Sequence, residues 1–134
     1  MANKEVVFIF DIDGTLADKS QSDLPIKSFP AINEVLKIAL AAQKSDKSRM
    51  AIVTARPEVA RKDTETWIKK QGLKPEILLM RSNDDFRPDH KVRVDQVREV
   101  MDKMGKKAVL YDDKPANCRA VKEKLKISVK RVLS

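Results

Sequence analysis

The strongest constraint on what this chain can fold into is a rhythm. Short apolar runs recur along it, and stretches with a helical period lie between them. Val6-Val7-Phe8-Ile9-Phe10 is apolar at every position. A strand with one wet face alternates polar and apolar residues, whereas a strand covered on both faces does not. Met50-Ala51-Ile52-Val53, Ile77-Leu78-Leu79-Met80 and Ala108-Val109-Leu110-Tyr111 repeat the pattern. Ile127 to Leu133 alternates instead, as expected of an edge strand.

The intervening stretches read as helices. Ala31 to Ala42 carries Ile32, Val35, Leu36, Ala39 and Leu40 on one stripe, just after Pro30. Thr64 to Gln71 is a short helix followed by Gly72. Val92 to Met104 keeps Val94, Val97, Val100, Met101 and Met104 in register and stops at Gly105. Ala116 to Leu125 places Val121 and Leu125 inward. The order β-α-β-α-β-α-β-α-β predicts a five-stranded parallel sheet covered by helices on both faces. Ligands of such sheets bind at the carboxyl ends of the strands.

Size and composition narrow the alternatives. The 134 residues are one domain's worth, so residues 1–134 are expected to form a single domain. Residues 17–30, polar and carrying Pro25 and Pro30, read as a flap or loop beside the first strand's carboxyl end. No apolar run is long enough to cross a bilayer, and the N-terminus reads without a signal peptide. Cys118 is the one cysteine, so no internal disulfide and no zinc cluster is expected, and a cytoplasmic location fits best. Lys and Arg number 28 against 20 Asp and Glu, a net charge of +8 that favours anionic partners such as nucleic acid, phosphorylated ligands or membrane surfaces, and of these no membrane partner is expected. Six aromatics (four Phe, one Trp, one Tyr) are too few for a large base-stacking platform.

Four of the expected strand ends carry reactive groups. The first ends in Asp11-Ile12-Asp13-Gly14-Thr15-Leu16. Asp and Gly are common turn residues, but two buried acids without compensation are costly, and Mg²⁺ would suit their oxygens. The second ends in Thr54-Ala55-Arg56-Pro57, whose hydroxyl and guanidinium can donate to an anion. After the third comes Asp89-His90-Lys91-Val92-Arg93 at a helix start, and the fourth ends in Asp112-Asp113-Lys114-Pro115.

Phe10-Asp11-Ile12-Asp13-Gly14-Thr15-Leu16-Ala17, Thr54 and Asp112-Asp113 together resemble the motifs of the haloacid dehalogenase (HAD) superfamily of phosphatases. Ile52 to Pro57, Met80-Arg81, Arg87-Pro88-Asp89 and Tyr111 to Lys114 resemble, more narrowly, the 3′-phosphatase domain of bacteriophage-type polynucleotide kinase. The resemblance implies a Rossmannoid three-layer α/β/α sandwich, capless or with a small flap. It implies a Mg²⁺-dependent phosphomonoesterase working through an aspartyl-phosphate and removing 3′-phosphate from polynucleotide ends or nucleotides. In that reading Asp11 is the nucleophile and Asp13 the general acid and base. Mg²⁺ is held by Asp11, the Asp13 backbone carbonyl and Asp113, with Asp112 supporting them or exchanging roles with Asp113. Thr54 and the amides after Asp11 bind the phosphoryl oxygens, and Arg56 is a second clamp. The family's third-motif lysine position holds Arg93, with Lys91 as rival, and Asp89 would pin whichever serves.

No phosphate loop Gly-x-x-x-x-Gly-Lys-Ser/Thr occurs, so a kinase, like a ligase, would have to be a separate partner. Two other readings stand beside this one: a small-molecule phosphatase such as a 5′-nucleotidase, and a non-catalytic nucleic-acid-binding domain. His90 is expected in a solvated or capping role, Cys118 in packing or plain exposure and Trp67 in a core or boundary role. Lys122, Lys124, Lys126, Lys130 and Arg131 form a solvated basic end that could also track a nucleic-acid backbone.

Overall fold

The structure, a computed structural model, describes residues 5–19 and 25–133. Its sheet is built of β1 (Val6–Phe10), β2 (Ser48–Pro57), β3 (Ile77–Arg81), β4 (Ala108–Asp112) and β5 (Ser128–Arg131). All pairings are parallel, in the order β3-β2-β1-β4-β5. The helices are α1 (Asn33–Lys44), α2 (Arg61–Lys70), α3 (Asp89–Met104) and α4 (Pro115–Leu125). Among the described residues no helix is long and apolar enough to cross a membrane.

The apolar runs act as two-faced strands. Side chains alternate across a sheet, so an unbroken apolar strand feeds two cores at once. Phe10 of β1 and Met50 and Ile52 of β2 join Val35 and Ala39 of α1 and Trp67 and Ile68 of α2. Val7 and Ile9 of β1 and Ala51 and Val53 of β2 join Val97 and Val100 of α3 and Val121 of α4. This is the three-layer sandwich that the rhythm predicted. β1 lies in the middle, paired with β2 on one side and β4 on the other.

Several element ends differ from the sequence expectation, each for a local reason. α2 starts at Arg61, not Thr64, because its first turn is held by exposed charges: Arg61 pairs with Glu58 at 2.7 Å and Glu65 at 3.2 Å. α3 starts at Asp89, directly after Pro88. β2 runs four residues past Val53 to Pro57, and its pairing with β3 shifts between Val53 and Pro57. Such a bulge bends a strand and re-aims its side chains. Here it carries Thr54, Ala55 and Arg56.

Of the expected flap at 17–30, residues 20–24 lie outside the described residues. The flanks are tied to each other: Asp18 N–H donates to the Pro30 carbonyl at 2.8 Å, and Ile32 N–H to that of Leu16 at 2.7 Å. Trp67, fully buried as expected, donates its indole N–H to the Phe29 carbonyl at 2.9 Å.

Candidate active site

The chain leaves β1 through a tight turn. The Ile12 carbonyl accepts from the amides of Thr15, Leu16 and Ala17 at 2.9 to 3.1 Å, and Gly14 N–H donates to the Ala17 carbonyl at 2.8 Å. Those bonds leave the N–H groups of Ile12 and Asp13 without an acceptor among the described residues. Two adjacent free amides at a strand end form a concavity for an anion. Gly14 is required at its position. Its φ is +84°, and a Cβ there would lie 2.1 Å from Oδ2 of Asp113. Its lack of a side chain brings the first and fourth strand ends together.

A buried arginine joins the carboxylates. Arg93 is only 2% exposed. It donates from Nη2 to Oδ1 of Asp11 at 2.9 Å, from Nη1 to Oδ2 of Asp112, and from Nε to Oε1 of Gln96 at 3.1 Å. Gln96, one turn further along α3, donates its amide to the Thr54 carbonyl at 2.8 Å. α3, β1, β2 and β4 are thereby locked around one guanidinium. Burial works against its charge, but Asp11 and Asp112 outweigh burial, and the Arg93 pKa is raised. Burial is also the largest influence on Asp11. It pushes that carboxyl up to about 7, against the pull of Arg93 and with help from Asp112, Asp113 and Asp13.

Phase on the helix separates the two candidate cations. At about 100° per residue, positions 91 and 93 point about 200° apart. With Arg93 turned inward, Lys91 faces out and is exposed. The structure therefore brings Arg93, not Lys91, to Asp11. Asp89 does not pin either of them. Its carboxylate is held by Arg81 and Lys114, and Lys114 is the main cause of its lowered pKa. Arg81 is itself braced by the carbonyls of Ala55, Asp85 and Arg87 at 3.2, 2.8 and 2.9 Å.

Arg56 meets a carboxylate of the site. It grips Asp13 fork to fork, Nε to Oδ2 at 2.9 Å and Nη2 to Oδ1 at 2.7 Å. The Thr54 side chain is fully buried, and its hydroxyl accepts from the Arg56 amide at 3.1 Å. His90 is half-buried in the first turn of α3 and Cys118 half-buried on α4.

Asp11, Asp112 and Asp113 each offer an oxygen within 4.8 Å of the others. The two neighbours at the end of β4 differ. Both oxygens of Asp112 are engaged: Oδ2 by Arg93 and by Asn117 at 3.2 Å, Oδ1 by the Lys114 amide at 2.9 Å. Asp113 accepts from Lys19 at Oδ2, 2.9 Å away, while its buried Oδ1 has no hydrogen-bond partner. A buried carboxylate oxygen without a donor is costly. A hard divalent cation supplies the missing partner, so this donor set fits Mg²⁺. Gln96, Asn117, Lys19 and Arg81 were not singled out as site residues from sequence. Gln96 carried a signal, since it lies three residues after Arg93, within reach on a helix. The others are brought in from separate elements.

This sheet, with acids at the ends of β1 and β4, a hydroxyl at the end of β2 and a buried cation from α3, defines a HAD-type phosphatase. The model of the polynucleotide kinase PNKP phosphatase domain matches residues 5–133, and the chain belongs to that family. No curated protein matches it. Among solved structures, "Structure of Pnkp1/Rnl/Hen1 complex" contains a chain that superposes with a TM-score of 0.82 at 20% identity, over 96% of this chain and 46% of its own. "Structure of the Pnkp1/Rnl/Hen1 RNA repair complex" gives 0.79 at 20% identity, over 96% and 42%. A Mesorhizobium loti chain described as a HAD-like phosphatase gives 0.68 at 14%, over 90% and 68%. These likenesses show a shared fold. This chain spans less than half of the first two.

Proposed function

We propose that the chain removes 3′-phosphate from polynucleotide ends or nucleotides, through an aspartyl-phosphate at Asp11 and with a divalent ion. The observation that carries this reading is the convergence on Asp11 of the buried Arg93, the two free amides and the orphaned oxygen of Asp113. Substrate class is supported by the family and by the +8 net charge. One structural neighbour belongs to an RNA repair complex, which fits nucleic-acid ends as substrate, and a separate ligase or kinase as partner.

A phosphate monoester is a dianion that repels a carboxylate nucleophile, so its charge must be offset before attack. Arg93 holds Asp11 in place and spreads positive charge beneath it. The amides of Ile12 and Asp13 and the Thr54 hydroxyl donate to the phosphoryl oxygens, the electrostatic contribution that usually dominates such catalysis. Mg²⁺, held by Asp11, the Asp13 carbonyl and Asp113 with Asp112 in support, would neutralise charge on the transferring group. Asp11 attacks phosphorus, the ester bond breaks, and Asp13 gives its proton to the leaving alkoxide. Asp13 then takes a proton from water, which attacks phosphorus and frees Asp11. The fork of Arg56 fixes the position of the Asp13 side chain, and incoming phosphate competes for that fork.

The test is phosphate release from matched oligonucleotides phosphorylated at the 3′ or the 5′ end. Turnover of the 3′ ester that EDTA stops and Asp11→Asn abolishes is expected. Preference for the 5′ ester would overturn the substrate, and an active Asp11→Asn variant would overturn the nucleophile.

A further inference from the structure

Beside the site, at the ends of β4 and β5, lies a pocket of about 360 Å³ that the mechanism leaves unused. Asp113 borders it on one side. Three cations, Lys19 from the loop after β1, Lys114 just past β4 and Arg131 at the end of β5, stand around it, with Pro115 and Val132 as an aliphatic wall. Its floor is part of the sheet's rim: Val132 N–H donates to the Asp112 carbonyl at 2.9 Å, and Arg131 is the register partner of Asp112.

The three cations are not equivalent. Lys19 is committed to Asp113 and Lys114 to Asp89. The Arg131 side chain is exposed, and no ion pair or side-chain hydrogen bond engages it among the described residues. A lone surface arginine means little by itself. This one borders a cavity that an acid of the catalytic cluster also lines. The larger groove between α3 and α4 offers a weaker case. Its Arg87 and Arg98 are spent on Asp85 and Asp95, and no member of the acidic cluster lines it.

We infer that this pocket is a subsite for the nucleotide one step in from the phosphorylated end, with Arg131 binding its phosphodiester. The inference rests on the 3′-phosphatase reading. The volume falls at the low end of the range of about 300–1,000 Å³ for ligand pockets, enough for one nucleotide unit. A guanidinium fork matches two phosphate oxygens. The aliphatic wall suits a ribose or base face, and Asp113 places the pocket beside the reacting phosphate. The site therefore selects a chain end over a free mononucleotide.

The experiment compares a 3′-phosphorylated dinucleotide, a 3′-mononucleotide and p-nitrophenyl phosphate as substrates. Unmodified protein is expected to favour the dinucleotide over the mononucleotide in kcat/KM, mainly through KM. Arg131→Ala should cut that preference about tenfold, with partial recovery in Arg131→Lys. Lys107→Ala removes the same charge at the far end of the sheet, where the Lys107 carbonyl meets Val7, and should keep the preference intact. An equal preference in Arg131→Ala and unmodified protein, or none in the latter, overturns the subsite alone. Failure on every 3′-phosphate while p-nitrophenyl phosphate is hydrolysed overturns the substrate reading and the subsite with it.

Discussion

Arg93 is where single residues matter most. Its three contacts use Nε and both terminal nitrogens, and removing one partner leaves a buried group unpaired. Gln96→Leu strips both the Arg93 Nε and the Thr54 carbonyl of a partner. It should lower unfolding free energy by about 1–3 kcal/mol in urea denaturation and also reduce kcat. Gly14→Ala acts through space. Its Cβ would run into Asp113, so phosphate release should drop at least about a hundredfold while the circular dichroism spectrum stays folded. At this scale sequence went part of the way. The acids and Thr54 were legible because their types are unusual at the ends of buried strands. Charge did not separate Arg93 from Lys91, although the stripe through Val97, Val100 and Met104 already puts Arg93, four residues before Val97, on the inward face. The partners of Asp89 were not legible at all, because Arg81 and Lys114 reach it from other elements.

Elements carry their own strain and signals. α4 ends on Lys126, a residue with φ of +58°, in the left-handed region. A side chain there clashes with its own backbone, at a cost of roughly 1–2 kcal/mol. Lys126→Gly should raise stability by about 0.5–1 kcal/mol, read as a higher melting temperature, after allowing for glycine's greater unfolded entropy. Strand positions were legible from unbroken apolar runs. The beginning of α2 was not, because its first turn is built from surface charges with no apolar period. Nor was the bulge in β2, which depends on how that strand meets β3.

At the scale of the whole molecule, the proposed divalent ion would couple its binding to folding. In the ion-free protein the Asp11 carboxyl is raised from 3.8 to about 7, chiefly by burial. A carboxyl raised in the folded state stabilises the fold while protonated. That contribution is full below about pH 4 and is lost as pH rises through about 7. A divalent cation favours the carboxylate and reverses the trend. Saturating Mg²⁺ should therefore raise the melting temperature by several degrees more at about pH 8 than at about pH 5.5. The difference should vanish in Asp11→Asn. The layered sheet was legible because two-sided burial of four apolar runs leaves helices on both faces as the only cover. Asp113's missing donor was not, since it arises from the close approach across Gly14.

The single tryptophan has a use of its own. Its indole N–H is tied to the Phe29 carbonyl, and the Arg56 guanidinium lies 5.7 Å from the centre of the Phe29 ring. Arg56 in turn grips Asp13. The molecule thus has its one tryptophan fluorophore wired, through two contacts, to the mouth of its catalytic cleft. When a ligand draws Arg56 away from Phe29, emission from Trp67 should change in wavelength or intensity. Occupancy can then be followed optically, in real time and without a label.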